Sequence, residues 1–371
     1  MNPTRLLDLF CDIVRIESPS RHEAAMAARC ADELRALGFS VRFDDSAAQT
    51  ESDTGNLIAH LPGTAPGHIV LSAHMDTVRP CAGIEPVVKD GVVRSAGDTI
   101  LSADDKAGVA AILEGVRSVV EEGAVRPDVT VLFTTCEELH LLGSGALAEG
   151  ELPAGAPCYV LDADGAPGTV VTGAPCHWGL EASFVGRASH AGVVPEEGIS
   201  AICMAAAAIE AMPLGRIDEA TTGNIGVISG GRETNVVPDS CTLAGECRSL
   251  YTDRVEAQKA AMTAALEQAA ARFGGSVDVT WTKSYDAVLY DEDDPVVQAA
   301  ARAARAAGLE PRFRHDGGGA DANILAARGV RAVTLGVGMT AFHSPDEHIS
   351  VADLEGTARL VESLVKEGVE A

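Results

Sequence analysis

Aromatic side chains are scarce: two Trp, four Tyr and eight Phe make up 4% of 371 residues. The interior must therefore be built from Val, Leu, Ile and Ala. Positive charge is scarce too. Against 54 Asp and Glu there are 28 Lys and Arg, a formal net charge of -26. Such an excess repels phosphate backbones and anionic membranes, which argues against a nucleic-acid partner or a membrane surface. No apolar run reaches the length of a membrane span. The nine cysteines are odd in number and include no Cys-x-x-Cys pair. That excludes a disulfide framework and a structural zinc ribbon, and it suggests a reducing, cytoplasmic setting. No signal peptide is expected either. Leu6, Leu7, Phe10, Ile13 and Val14 follow a helical period, with Asp8 and Asp12 on the other face.

What remains is an ordinary soluble globular composition, 46% hydrophobic and 22% charged. The length suits about two domains. The period predicts helices over residues 3–17, 23–37, 109–120, 199–212, 254–273, 295–307 and 352–366. Short strands are expected at 39–43, 56–61, 129–134, 159–161, 312–314 and 332–337. Asp90-Gly91 splits residues 87–94 into a hairpin.

The run Ile69-Val70-Leu71-Ser72-Ala73-His74-Met75-Asp76 begins as a buried strand and ends in His-x-Asp. Residues two apart on a strand share a side, so His74 and Asp76 stand together at the strand's carboxyl end. Alone, the pair reads either as a polar strand end or as an imidazole supported by a carboxylate, the arrangement of a metal-bound histidine. Asp104-Asp105 comes before a helical run, so the pair is expected at a helix N-terminus, where it is either a cap or a metal bridge. Cys136-Glu137-Glu138 ends another strand, and adjacent carboxylates there need something cationic. Asp162-Ala163-Asp164-Gly165 follows a third, and His343 comes after a fourth. Each motif is expected to follow a β segment in alternation with helices. A doubly wound α/β sheet would bring those ends to one edge.

Between residues 175 and 286 the pattern changes to β-α-β-β-α-β, the ferredoxin-like signature. This predicts an inserted α+β domain at 175–286 within a catalytic domain of 1–174 and 287–371.

The ordered set Ser-Ala-His74-Met-Asp76, Ala-Asp104-Asp105-Lys-Ala-Gly, Cys-Glu137-Glu138, Leu-Asp162, Ser-His190-Ala-Gly and Phe-His343-Ser resembles peptidase T and its relatives. These are cocatalytic zinc exopeptidases of the aminoacylase and carboxypeptidase superfamily. The resemblance spans almost the whole chain, and its specificity lies in the order of the motifs. It implies two Zn²⁺, replaceable by Co²⁺ or Mn²⁺. His74, Asp104 and Asp162 would hold one and Asp104, Glu138 and His343 the other, with Asp104 bridging. Asp164 is the alternative to Asp162. Asp76 would orient His74, and Glu137 would act as general base on a shared water.

The resemblance also implies an inserted domain that mediates a homodimer, with His190 as donor to the oxyanion. Arg248, Asn235 and the loop around Gly318 match positions that contact substrate. His140 and His348 lack ligand spacing, and Cys136 reads as packing. The implied activity is hydrolysis of an amide bond in a short peptide, by a tripeptide aminopeptidase-like exopeptidase. An N-acyl-amino-acid amidohydrolase or carboxypeptidase-type enzyme acting on an acylated substrate is the alternative with the same chemistry. A catalytically silent binding protein is the alternative outside it. Ser-His-Ala-Gly stands where peptidase T has His-Pro-Gly, which leaves strict tripeptide specificity open.

Overall fold

The computed structural model describes residues 1–368. The chain divides into two compact units, residues 1–173 with 289–371, and residues 174–288.

The first unit is built on one mixed sheet. Among the described residues, seven of its nine strands run in the order Ser40–Phe43, Leu57–Leu61, Asp128–Thr134, His68–His74, Pro157–Ala163, Arg331–Gly336, Thr169–Ala174, and Arg312–His315 pairs in parallel with the last of these. The four in the middle, from Asp128–Thr134 to Arg331–Gly336, are parallel. They are near-continuous apolar runs because helices cover both faces. Alternation along each strand divides the core in two. Leu57, Ile69, Leu71, Val129, Val131, Tyr159 and Leu161 face the large core. Ile58, Val70, Leu132, Cys158 and Val160 face a smaller one. The helix Ala103–Glu122 packs in the large core, and Asp321–Ala327 contributes Ala322 and Leu325 to the smaller. The doubly wound architecture expected from the sequence is the one observed.

The hairpin forms at Pro86–Lys89 and Val92–Ser95. Both turn residues have positive φ, 51° at Asp90 and 74° at Gly91, the geometry that matches strand twist. With His348–Ser350 it forms a separate three-stranded sheet. The sequence reading placed Asp104 after a strand of the main sheet, and this is corrected: the strand before it belongs to the small sheet. Asp104 and Asp105 also lie in the first turn of their helix with non-helical backbone, so neither is a simple cap.

The first helix stops at Val14, not at 17. The chain turns there so that Ser18 can accept the Thr77 N–H at 3.0 Å and donate its hydroxyl to the Met75 carbonyl at 2.9 Å. This contact lies beside the His74-x-Asp76 strand end and is invisible to local periodicity.

The second unit has an antiparallel sheet in the order Gly215–Arg216, Thr221–Gly230, Ser240–Ser249, Cys176–Val185, Ser276–Tyr285. The helices Ala201–Ala211 and Thr252–Phe273 share a core with it. Apart from the two-residue edge strand, the chain order is the expected β-α-β-β-α-β. On the outer side of Thr221–Gly230, Gly215–Arg216 pairs only with Thr222 and Gly223.

Candidate metal centre and its surroundings

Parallel strands put their carboxyl ends at one edge of the sheet. Three of the four middle strands carry candidates at or just beyond that edge: His74, the Glu137-Glu138 pair, and Asp162. The fourth, Arg331–Gly336, leads into the loop of His343. Asp104 comes to the same place from the start of its helix. Gly108 permits that approach, because a Cβ there would lie 2.3 Å from the Leu161 carbonyl oxygen and 2.5 Å from Asp105 Oδ1.

Asp104 stands between the two histidines. Its Oδ1 is 2.9 Å from His74 Nε2, and its Oδ2 is 3.2 Å from His343 Nε2. Asp162 Oδ1 lies 3.5 Å from His74 Nε2, and Glu138 lies 3.0 Å from His343 Nε2. Glu137 faces the other way, its Oε2 4.0 Å from His74 Nε2. Asp164, the alternative to Asp162, is drawn aside by Arg314.

His74 is oriented mainly by backbone. Its Nδ1 lies 2.9 Å from the Asp76 carbonyl oxygen and 3.5 Å from the Asp76 carboxylate. Donation from Nδ1 turns Nε2 toward Asp104 and Asp162. The Asp76 carboxylate instead accepts the N–H groups of Glu137 at 3.0 Å and Glu138 at 3.3 Å, and the Ser20 hydroxyl at 2.6 Å. It therefore ties the two acids to the His74 strand.

Burial and close charged neighbours shift the protonation of these groups. Burial pushes Glu137 well above the usual carboxylate range, with the Asp162 charge adding to it. Burial also raises Glu138, and it raises Asp162 to about 7. At Asp104 burial is opposed by His343 and His74, which hold it well below the usual range. At His74 burial is outweighed by the neighbouring carboxylates, Asp162 first, which hold the imidazole well above its ordinary value. The Lys106 ammonium, two residues from Asp104, donates instead to the Ile16 carbonyl at 2.6 Å.

Imidazole and carboxylate donors of this kind suit divalent cations. Among the described residues, two sets of three donor atoms lie within 4.8 Å of one another: His74, Asp104 and Glu138, and His74, Asp105 and Asp162. Asp105 is an addition to the expected residues. Its two oxygens accept the backbone N–H groups of His74 and Gly108, at 3.2 and 3.1 Å.

Three buried acids whose side chains hold the segments around this cluster escaped the sequence reading. Glu23 accepts the Cys136 N–H at 2.9 Å and so holds the turn before Glu137. Asp321 accepts the hydroxyls of Thr134 and Ser144, each at 2.5 Å. Glu347 accepts three N–H groups around Asp104. The only local signal was that Asp321 and Glu347 lie in the loops already singled out. Of the remaining histidines, His140 is exposed, and His348 is paired with the Asp346 carbonyl at 2.8 Å. The Cys136 thiol is buried and pushed up to about 12, as packing requires.

The other candidates lie in the second unit, apart from Gly318, which sits in a loop of the first where a Cβ would meet nothing within 4 Å. His190 is exposed, and its Nδ1 accepts the Gly192 N–H at 3.2 Å, which places the proton on Nε2. Asn235 lies beside it, its carbonyl accepting the Ala191 N–H at 2.9 Å. Arg248 grips Glu246 with both Nε and Nη2, at 3.0 and 2.9 Å, and His177 Nε2 lies 2.8 Å from the same carboxylate.

His177 first and then Arg248 hold the Glu246 carboxyl down to about 2, against an ordinary 4.5. A depressed carboxylate stabilises the fold fully above its unfolded value and loses that stabilisation as pH falls through its folded one. Allowing for solvent screening at this half-buried position, Glu246→Gln is expected to cost about 1–2 kcal/mol at pH 7. The gap from wild type should narrow as pH falls below about 4.5. Denaturant unfolding at pH 7 and pH 3.5 measures it, and a gap independent of pH would refute the ion pair's contribution.

The chain matches the model of peptidase family M20/M25/M40 over residues 70–367. The uncharacterized protein YqjE of Bacillus subtilis is 40% identical over 368 residues, covering 99% of each chain. Among solved structures, the aminopeptidase PepT of Bacillus cereus is 40% identical with a TM-score of 0.92, covering 100% of both chains. A tripeptidase of Staphylococcus aureus is 36% identical with a TM-score of 0.94, covering 99% of this chain and 98% of its own. The ordered motifs, the doubly wound sheet and the cluster at its edge thus converge with these likenesses: the chain belongs to peptidase family M20/M25/M40 and is a metallopeptidase.

Proposed function

We propose that the protein is a zinc exopeptidase that releases an N-terminal residue from short peptides, tripeptides above all. The observation that carries this reading is Asp104, whose two oxygens reach His74 and His343 separately. His74, Asp104 and Asp162 would hold one Zn²⁺, and Asp104, Glu138 and His343 the other. Bound together, the two ions supply Lewis acidity to a shared water and to the scissile carbonyl. The aminopeptidase and tripeptidase names of the similar structures support the choice of substrate.

Glu137 takes the proton from the attacking water and passes it to the leaving amine. The divergence of the adjacent acids supports this division, since Glu138 is turned to His343 while Glu137 is not. His190, with its proton on Nε2, donates to the oxyanion. Arg248, Asn235 and the Gly318 loop contact the substrate, and Glu246 keeps the Arg248 fork oriented in the meantime. The protein works as a homodimer through the inserted unit. The partly unpaired Thr221–Gly230 edge, with Val227 and Ile228 more than half exposed, supports that interface. Nine free thiols suit a reducing, cytoplasmic setting.

One experiment tests the reading: metal content and hydrolysis of di-, tri- and N-acylated substrates, with and without a chelator, on protein whose mass in solution is measured by sedimentation. About two zincs per chain and chelator-sensitive release of the N-terminal residue from tripeptides are expected, from a dimer. Cleavage of N-acylated substrates alone would move the function to an amidohydrolase. A monomer at every concentration would remove the dimer.

A further inference from the structure

His343 and Glu347 lie on one closed loop. Thr340 and His348 exchange backbone hydrogen bonds in both directions, at 2.9 and 3.0 Å. Inside the loop, the Ser344 hydroxyl donates to the Ala341 carbonyl at 2.7 Å, and the Glu347 N–H donates to the Ser344 carbonyl at 3.1 Å. The two side chains leave this frame differently. His343 reaches Asp104 and Glu138, and its side chain is 46% exposed. Glu347 is 1% exposed and enters the chain segment that carries Asp104. Its Oε2 accepts the N–H groups of Leu101 at 2.7 Å and Ser102 at 2.8 Å, and its Oε1 accepts that of Asp104 at 2.9 Å.

Three N–H donors converging on one buried carboxylate form a strong, directional attachment. It is made where the backbone is otherwise irregular. Ser102 has φ of 66° and Asp104 is non-helical, although both adjoin a long helix. No repeating helical hydrogen bond determines where the Asp104 carboxylate sits. The side chain that accepts the N–H groups of this backbone lies 243 residues away in sequence, four residues after His343.

We propose that Glu347 is a positioning residue: it ties the backbone presenting Asp104 to the loop presenting His343, and so sets the span between these two ligands. This inference rests on the reading that Asp104 and His343 hold a cation. Its consequence is for cation affinity before any turnover. Partners that orient ligands are worth about 10–100-fold in affinity when removed. Glu347→Gln replaces one accepting oxygen by an NH₂ group that faces a backbone N–H, so the attachment is broken on one side.

The test is calorimetric titration of chelator-stripped full-length protein with Zn²⁺. Glu347→Gln is expected to weaken at least one of two binding events by about 10–100-fold. Glu347→Asp, which keeps the charge but is shorter, should recover part of that loss. In a His343→Ala background the Gln substitution should cost much less, because the span that Glu347 sets has lost one of its two ligands. A pin that serves stability alone would lower the melting temperature and leave affinity within twofold of wild type, and that result overturns the inference. An undiminished effect in the His343→Ala background overturns it as well. If the Gln variant fails to fold, the Asp variant carries the test: weaker Zn²⁺ binding supports the positioning role, and wild-type affinity refutes it. Wild-type protein that fails to bind two Zn²⁺ would refute the dinuclear reading itself, and this inference with it. Two tight sites in wild type that stay unchanged in both variants would refute the inference alone.

Discussion

Glu137→Gln is expected to lower kcat by about 10²–10⁴-fold, the range of one general acid–base group, while leaving two divalent cations bound. The substitution keeps size and hydrogen-bonding shape but removes the ability to take a proton. Glu137 Oε2 is 4.0 Å from His74 Nε2, whereas Glu138 is 3.0 Å from His343. The metal should therefore stay when the first acid is altered and leave when the second is. Asp76 helps this separation. It anchors the N–H of Glu137 and the N–H of Glu138, so the backbone of the pair holds when either side chain changes. KM should move little, since Glu137 acts on the proton and not on the remote parts of the substrate. Steady-state kinetics paired with metal analysis is the check. Wild-type turnover in a fully loaded variant would remove Glu137 as the base, and loss of metal would make it a ligand.

Asp104→Asn is expected to empty both proposed sites. Outer partners of a metal ligand are worth about 10–100-fold in affinity, so loss of a shared ligand should exceed that at each site. The geometry gives the reason. Asp104 offers Oδ1 toward His74 and Oδ2 toward His343, and an amide can present only one oxygen. Substitution also removes a negative charge that two imidazoles jointly stabilise. Glu138 and Asp162, both raised by burial, are then left without the cations that would balance them. Turnover should fall with occupancy and return only in part with excess Zn²⁺. Two ions retained at wild-type affinity would show that Asp104 is not the bridge. One ion lost and one kept would assign it to a single site.

Much of this centre was legible in the chain. The short apolar run before His74 reads as a buried strand. A period of two then puts His74 and Asp76 on one side, whatever the rest of the protein does. The β-branched stretch before Glu137-Glu138, the Tyr-Val-Leu run before Asp162 and the alternation with helices imply a sheet with its parallel strand ends together. Those inferences depend on local geometry and on the one burial pattern that such strands permit. The element order of the second unit, residues 174–288, was legible for the same reason, because strand and helix periods follow one another there as β-α-β-β-α-β.

The tertiary structure decided what local periods leave equal. Asp162 and Asp164 are two residues apart and fall on the same side, so alternation does not distinguish them. In the folded chain Asp164 pairs with Arg314, 150 residues later, while Asp162 lies by His74. Nor does period reveal that Asp104 follows the small sheet, or that the Asp76 carboxylate holds the N–H groups of Glu137 and Glu138 while its carbonyl orients His74. Glu347 reads as one more charged residue in a polar loop, yet it is buried against backbone that has no helical partner of its own. A carboxylate becomes a ligand, an anchor or a surface charge according to which donors the folded chain brings within about 3 Å. Those donors come from distant segments, and only packing selects them.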